Sequence, residues 1–154
     1  MAIHTDTEIY KTTFELSKLV STLVANMPKS YKFDFGAELR RDCMWLVRMV
    51  YQANTSESNR VEILNSMREE IESVNLTLRL SKDLRLISTK QYANAIALTE
   101  SIGKQAKGWQ KYTERAQEAG LSRQSGHSAF ESGRAAGSQG HRQAHNRYRR
   151  HQPK

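Results

Sequence analysis

The sequence has few cysteines and prolines and no long apolar segment. It contains one cysteine, Cys43, and two prolines, Pro28 and Pro153. A single cysteine excludes a framework of disulfide bonds within the chain and fits a reducing compartment. No apolar run approaches the roughly 20 residues of a membrane span, and the amino terminus lacks the basic region and apolar stretch of a signal peptide. We therefore expect a cytoplasmic protein.

Histidine is nearly absent from residues 1–118, where His4 stands alone. The Glu-x-x-His pairs with which some four-helix bundles hold two iron ions are therefore missing. His141 and His145 lie four residues apart near the carboxyl end, but a metal site needs more ligands and a fixed frame. Cys43 lies on an apolar helix stripe, where no histidine is placed to activate it. We expect no catalytic residue, no metal and no cofactor.

The positive charge is concentrated near the carboxyl end of the chain. The formal net charge is +8; residues 119–154 hold 7 of the 24 Lys and Arg residues but a single acid, Glu131. This segment is poor in apolar residues and rich in Gly, Ser, Gln and His. It therefore cannot bury enough surface to offset the entropy of ordering. We predict a folded domain over residues 1–118 and a disordered cationic tail over residues 119–154.

Helical spacing of apolar residues, at steps of three, four and seven, runs through the first domain. The first helix is predicted to start at the capping box Thr5-x-x-Glu8 and to stop at Pro28, because proline lacks the amide that the helix needs. An aromatic connection over residues 29–36 follows. The other predicted helices cover about residues 35–52 and 59–86 and, from a second capping box at Ser88-x-x-Gln91, about residues 88–112.

Short connections between four helices favour an all-α fold, an up-down-up-down antiparallel four-helix bundle. The residues predicted to face its core are Ile9, Leu16, Val20, Leu23, Val24, Met27, Leu39, Cys43, Leu46, Val47, Val50, Ile63, Met67, Ile71, Val74, Leu78, Ala95, Thr99, Ile102, Ala106 and Trp109. Gly103 and Gly108 lie inside the fourth helix, where each costs about 1 kcal/mol relative to alanine. We expect another backbone to approach them closely.

Several apolar residues do not fit a bundle that stands alone. Trp45 and Met49 lie on one flank of the second helix, and Leu76 and Leu80 lie well off the main stripe of the third. A helix that is apolar on more than one side is either fully buried or faces a partner. Self-association through these four residues is the favoured interpretation, and a wide core face is the alternative.

Basic residues collect in and just after the second and third helices. The candidate binding residues are Arg40, Arg41, Arg48, Arg79, Lys82, Arg85 and Lys90. Acidic residues crowd the front half of the third helix instead, so the two signs are separated along it. Such a field suits phosphate backbones. The alternative is a solvated face whose charges pair at i,i+4 spacing.

Three segments, taken together, resemble a known family. They are Tyr31-Lys32-Phe33-Asp34-Phe35-Gly36-Ala37-Glu38-Leu39-Arg40-Arg41, Leu78-Arg79-Leu80-Ser81-Lys82-Asp83-Leu84-Arg85-Leu86-Ile87-Ser88, and Gln91-Tyr92 with Ile102-Gly103-Lys104-Gln105-x-x-Gly108-Trp109. In this order and spacing they are similar to the four-helix-bundle family of the accessory variability determinant, Avd, of diversity-generating retroelements and the rRNA intervening-sequence proteins. The resemblance covers about residues 8–112 and is closer to the Avd branch.

The Avd resemblance implies a basic, ring-forming homo-oligomer, pentameric in known examples, without catalytic activity of its own. It implies binding of the element's reverse transcriptase and its template RNA or DNA, in support of mutagenic cDNA synthesis. An intervening-sequence-type bundle that acts only as a protein–protein interaction module is the alternative. Nothing in the resemblance extends to the tail.

Overall fold

The chain is helical over nearly all of the range that the structure, a computed structural model, describes. This range is residues 7–148, with side-chain surroundings described for residues 7–124, and no strand occurs within it. A helical turn, Lys29–Tyr31, and a π-helical turn, Lys32–Gly36, join the first two long helices. The four long helices are α1 (Glu8–Ala25), α2 (Ala37–Thr55), α3 (Arg60–Asp83) and α4 (Thr89–Tyr148). The prediction of an all-α fold is confirmed.

The four helices share one core and surround it. Helix α2 packs against both α1 and α3. Helix α4 contributes buried residues to the same core and reaches both of its neighbours through side chains. Gln105 of α4 donates to the hydroxyl of Thr12 in α1, and Arg68 of α3 donates to Gln110 of α4. Each helix therefore has two neighbours, which is the arrangement of a four-helix bundle.

Contact pairs give the relative direction of neighbouring helices. The guanidinium of Arg60, at the start of α3, lies 5.3 Å from the ring centroid of Trp109, whereas Lys82, near the end of α3, lies 4.8 Å from the ring of Tyr92. Residue numbers thus rise along α3 as they fall along α4, so these helices are antiparallel. Arg60 also donates to the carbonyl of Ala53 near the end of α2, as an antiparallel connection between α2 and α3 requires.

The predicted core is confirmed at most of its positions. All predicted core residues of α1 and α2 are buried, as are Met67, Ile71, Val74 and Leu78 of α3. Ile63 and Trp109 are only partly buried, whereas Leu64 is fully buried and was missed. Leu64 lies seven residues before Ile71, so a heptad step places it inside. The apolar face of a straight helix drifts by about 20° per heptad, which moves Ile63 toward the edge.

The helix ends follow local hydrogen bonding. Thr7 caps α1, its hydroxyl accepting from the amide of Tyr10; the predicted capping residue Thr5 lies outside the described residues. The second capping box is confirmed, because Gln91 accepts from the amide of Ser88 at 2.8 Å and Ser88 accepts from the amide of Gln91 at 3.1 Å. Helix α3 stops at Asp83 rather than at residue 86.

Helix α4 continues far beyond its predicted end at Tyr112. Residues 114–119 read Glu-Arg-Ala-Gln-Glu-Ala, all strong helix formers, so the helix continues without an apolar stripe. Every side chain from Glu114 to Gln124 is exposed. The structure divides into two compact units between Glu114 and Arg115, four residues before the predicted boundary. The backbone is helical as far as Tyr148, and disorder of residues 119–154 in solution stays a prediction.

Candidate nucleic-acid interface

The outer face of α2 presents three arginines around exposed apolar side chains. Arg40, Arg41 and Arg48 are all exposed, and Met44 and Trp45 are each 41% exposed between them. Helical spacing produces this grouping, because residues three and four apart are neighbours on a helix surface. An open groove of about 820 Å³ runs between this face and Ser17 and Ser21 of α1.

Two acids, Glu38 and Asp42, line the same groove as the three arginines, and Asp42 also interacts with Glu70 of α3. Burial, and after it the charge of Glu38, raises the pKa of Asp42, and Arg41 partly offsets the shift. Burial and the charge of Asp42 also raise the pKa of Glu70 in α3. Among the described residues no ion pair involves Arg40, Arg41 or Arg48. Their positive charges are therefore available to an external anion.

A second basic set surrounds the turn between α3 and α4. Arg79 is exposed and lies 3.9 Å from Asp83, a long ion pair in solvent that contributes little. The ammonium of Lys82 lies over the ring of Tyr92 in a cation–π contact. Arg85 and Lys90 are exposed. Lys82 and Arg85 line an open concavity of about 610 Å³ together with Ser88 and Gln91.

Arg85 holds a backbone conformation that usually belongs to glycine. Its φ is 57°, and it follows the carboxyl end of α3 in a Schellman motif. Its amide donates to the carbonyl of Lys82, and the amide of Leu86 donates to that of Ser81. A side chain at this position costs about 1 kcal/mol or more relative to glycine. For the stability of the fold alone, glycine would be the better residue at this position.

Replacing Arg85 with glycine is expected to raise the free energy of unfolding by about 0.5–1 kcal/mol, because glycine adopts this φ without steric cost. Arg85→Ala is the matched control: it also removes the cation but keeps the Cβ, so it should give no gain. Urea unfolding of the three chains measures the difference. Equal stabilisation by both substitutions would show that charge, and not φ, sets the cost.

The two basic sets lie in the same half of the bundle but on different helices. Because α2 and α3 are antiparallel, the carboxyl end of α3 with Arg79 and Lys82 lies toward the amino end of α2 with Arg40 and Arg41. The acidic residues Glu57, Glu62 and Glu69 are exposed toward the opposite end. The seven candidate cations thus form two surfaces, with Glu38 and Asp42 beside the first and Asp83 beside the second.

A further group of cations was missed by the sequence analysis. Arg68 of α3 and Lys104 and Lys107 of α4 line a groove of about 490 Å³ between these helices. The signal was available, because residues 104, 107 and 111 are lysines at helical spacing on an exposed face. Glu72 and Glu100 line the same groove, so its field is mixed.

The candidate interface residues divide into exposed and buried ones. Leu76 is 73% exposed and Leu80 is 47% exposed. Leu84 follows Leu80 by the same four-residue step, and 42% of its surface is exposed, so the three leucines form a row. Met49 is only 6% exposed and packs in the core, so little of its side chain is left for a contact between copies. It lies closer to the core direction of α2 than Trp45 does.

Gly103 and Gly108 of α4 are not sites of close approach by the described residues. A Cβ added to Gly103 or Gly108 would meet nothing within 4 Å, so the expectation of a neighbouring backbone was wrong. Gly36 is the glycine that packing requires, because its added Cβ would lie 2.7 Å from Cγ1 of Val24. The absence of a side chain lets the π-helical turn lie against α1.

The one cysteine of the chain, Cys43, is buried in the core. Burial raises the pKa of the Cys43 thiol to about 12, with smaller contributions from Asp42 and Glu70. The thiolate needed for nucleophilic chemistry is thus disfavoured at neutral pH. No cluster of histidine, cysteine and acidic residues that could hold a metal occurs in this part of the chain. Among the described helices, none has both the length and the apolar character that crossing a membrane demands.

The fold and its surface define a small helical bundle with unpaired cations on its outer faces. The sequence model of the bAvd-like family matches residues 9–113, which covers nearly the whole bundle. The chain therefore belongs to the bAvd-like family, and the resemblance inferred from the three sequence segments is confirmed. Proteins of this family are accessory and non-catalytic in type. No curated protein sequence matches the chain.

Proposed function

We propose that this protein is a non-catalytic accessory factor of a diversity-generating retroelement. Its basic surface, formed by Arg40, Arg41, Arg48, Arg79, Lys82, Arg85 and Lys90, binds the element's reverse transcriptase and its template RNA or DNA in the cytoplasm. Bound in this way, the protein supports mutagenic cDNA synthesis by the polymerase. Family membership supports the accessory role.

The observation that carries the nucleic-acid part of the proposal is the set of exposed cations that lack acidic partners. Arg40, Arg41 and Arg48 make no ion pair among the described residues, and the pair of Arg79 is long and exposed. Cations of this kind release counterions when they neutralise phosphates, and this release gives most of the affinity of non-specific binding. Contacts to phosphates position a nucleic acid without reading its sequence. Sequence selection then comes from the polymerase and the fold of the RNA.

The scaffold proposed for this surface is an up-down-up-down bundle that assembles into a homo-oligomer. The antiparallel contacts of α3 with α2 and with α4 support the topology. The exposed row of Leu76, Leu80 and Leu84 supports self-association, because monomeric proteins seldom leave such a row open to water. A ring is the closed form of a head-to-tail assembly, and we propose a pentamer, as the family resemblance implies.

Binding of purified protein to a structured RNA, with reverse transcriptase absent, tests the proposal directly. Fluorescence anisotropy should show binding that weakens steeply as salt is raised. A second arm measures capture of the reverse transcriptase after nuclease treatment. Capture of polymerase without any affinity for RNA or DNA would contradict the nucleic-acid role. It would favour a module that binds only protein, as proposed for the intervening-sequence type.

A further inference from the structure

Trp45 stands at the centre of the basic face of α2. It follows Arg41 by four residues and precedes Arg48 by three, so both guanidinium groups extend beside the indole. The two arginines are about 10 Å apart along the helix axis, with the indole between them. With 41% of its surface exposed, Trp45 offers apolar area to solvent beside Arg41 and Arg48, and its other side lines a groove with Glu62, Glu69 and Glu70.

The indole of Trp45 differs from three other rings of the bundle, which cations cover. Arg60 lies over Trp109, Lys82 over Tyr92, and Lys18 over Phe14. No such cation or stacked ring covers Trp45 among the described residues. Among the described residues, Arg41 and Arg48 make no ion pair within 4.0 Å, and neither covers the ring of Trp45. The ring of Trp45 can therefore stack on a ligand, and the guanidinium groups of Arg41 and Arg48 can bind its negative charges.

Exposed aromatic rings that alternate with cations are the features that bind single strands. Each nucleobase has a flat face that stacks on an aromatic side chain, whereas the cations track the phosphates on either side. Bases within a duplex already stack on one another, so a side chain on a convex helix face cannot reach their faces. The combination thus favours a strand with unpaired bases over a duplex.

We propose that the outer face of α2 binds single-stranded nucleic acid, with one base stacked on Trp45 and the flanking phosphates on Arg41 and Arg48. This inference rests on the proposed function and adds the strand state and the stacking residue. Of the two partners proposed above, nucleic acid fits this face better than the reverse transcriptase, because a protein would have to bury three guanidinium groups that make no ion pair among the described residues. Trp45 then belongs to the nucleic-acid surface and not to a contact between copies.

Tryptophan fluorescence isolates this site, because the chain has only two tryptophans. In a Trp109→Phe background the emission comes from Trp45 alone. Titration with oligothymidylate should quench this emission and saturate at the same concentration as anisotropy of a labelled strand. A bound strand that leaves the emission unchanged would overturn the proposal.

Substitutions of Trp45 separate the contribution of base stacking to the affinity from the contribution of the cations. Trp45→Ala should weaken single-strand binding about tenfold, the range found for one stacked base, and should leave affinity for a duplex of equal length unchanged. Trp45→Phe should retain most of the affinity. Tyr112→Ala is the matched control, since Tyr112 is also aromatic and 72% exposed but lies on α4; it should have no effect.

Two outcomes would contradict stacking on Trp45 without contradicting the proposed function. One is an equal loss of single-strand and duplex binding in Trp45→Ala; the other is a change in its sedimentation mass, which would place Trp45 between copies. In either case wild-type protein still binds structured RNA. Absence of binding to every nucleic acid tested would instead contradict the proposed function itself.

Discussion

Reversing the charge of Arg79, Lys82 and Arg85 together to glutamate is expected to lower the affinity for structured RNA about 100-fold or more at moderate salt. Each of these cations is exposed or half-buried at one end of α3, and only Arg79 has an acidic neighbour within 4.0 Å. The substitution removes three phosphate contacts and adds three repulsive charges at the same place. Affinity for a polyanion depends steeply on the number of neutralised phosphates. Fluorescence anisotropy measures the loss.

The matched control changes the same net charge on another surface. Lys104, Lys107 and Lys111 are exposed on α4, and their reversal to glutamate should cost far less affinity. Circular dichroism checks that both variants keep the helical content of the wild type. Equal losses for the two triple variants would mean that total charge, and not the end of α3, governs binding.

Gly36→Ala is expected to lower the free energy of unfolding by about 2 kcal/mol, within the range for overpacking a core. An added Cβ would lie 2.7 Å from Cγ1 of Val24 and 3.3 Å from the sulfur of Met27. Val24 is buried and stiff at χ1, so the methyl cannot turn away. The π-helical turn must then separate from α1. Urea unfolding followed by circular dichroism measures the effect.

Gly103→Ala provides a control of opposite sign. The same substitution at Gly103 meets nothing within 4 Å and removes the helix penalty of glycine, so it should stabilise the bundle by about 0.5–1 kcal/mol. A neutral Gly36→Ala would contradict the close packing of the turn on α1. A destabilising Gly103→Ala would instead point to a neighbour outside this chain.

Much of the bundle could be predicted because helical periodicity and burial coincide in it. The stripe of α2 from Leu39 to Val50 and the capping box at Ser88 are local features, so spacing alone locates them. Met49 shows the limit of that reasoning. Its position on the wheel is lateral, and only the placement of α3 beside α2 decides that it is buried. The π-helical turn Lys32–Gly36 depends on tertiary contact with Val24 in the same way.

The sequence predicted which cations are exposed, but not how the fold arranges them relative to the acidic residues. Arg41 and Arg48 lie opposite the core stripe of α2, so their exposure follows from helical geometry. That Asp42 of α2 lies near Glu70 of α3 could be seen only in the fold. The positive φ of Arg85 could not be foreseen either, since a glycine is the usual signal for a helix end of this kind.

The most direct measurement of the central claim is the salt dependence of RNA binding for wild-type protein and for the triple variant Arg79→Gln, Lys82→Gln, Arg85→Gln. Each lost phosphate contact lowers the slope of log K against log salt by about 0.7 on a single strand and about 0.9 on duplex DNA. The account predicts a slope shallower by about two to three in the variant, with weaker binding at every salt concentration. Parallel lines of equal slope would contradict it.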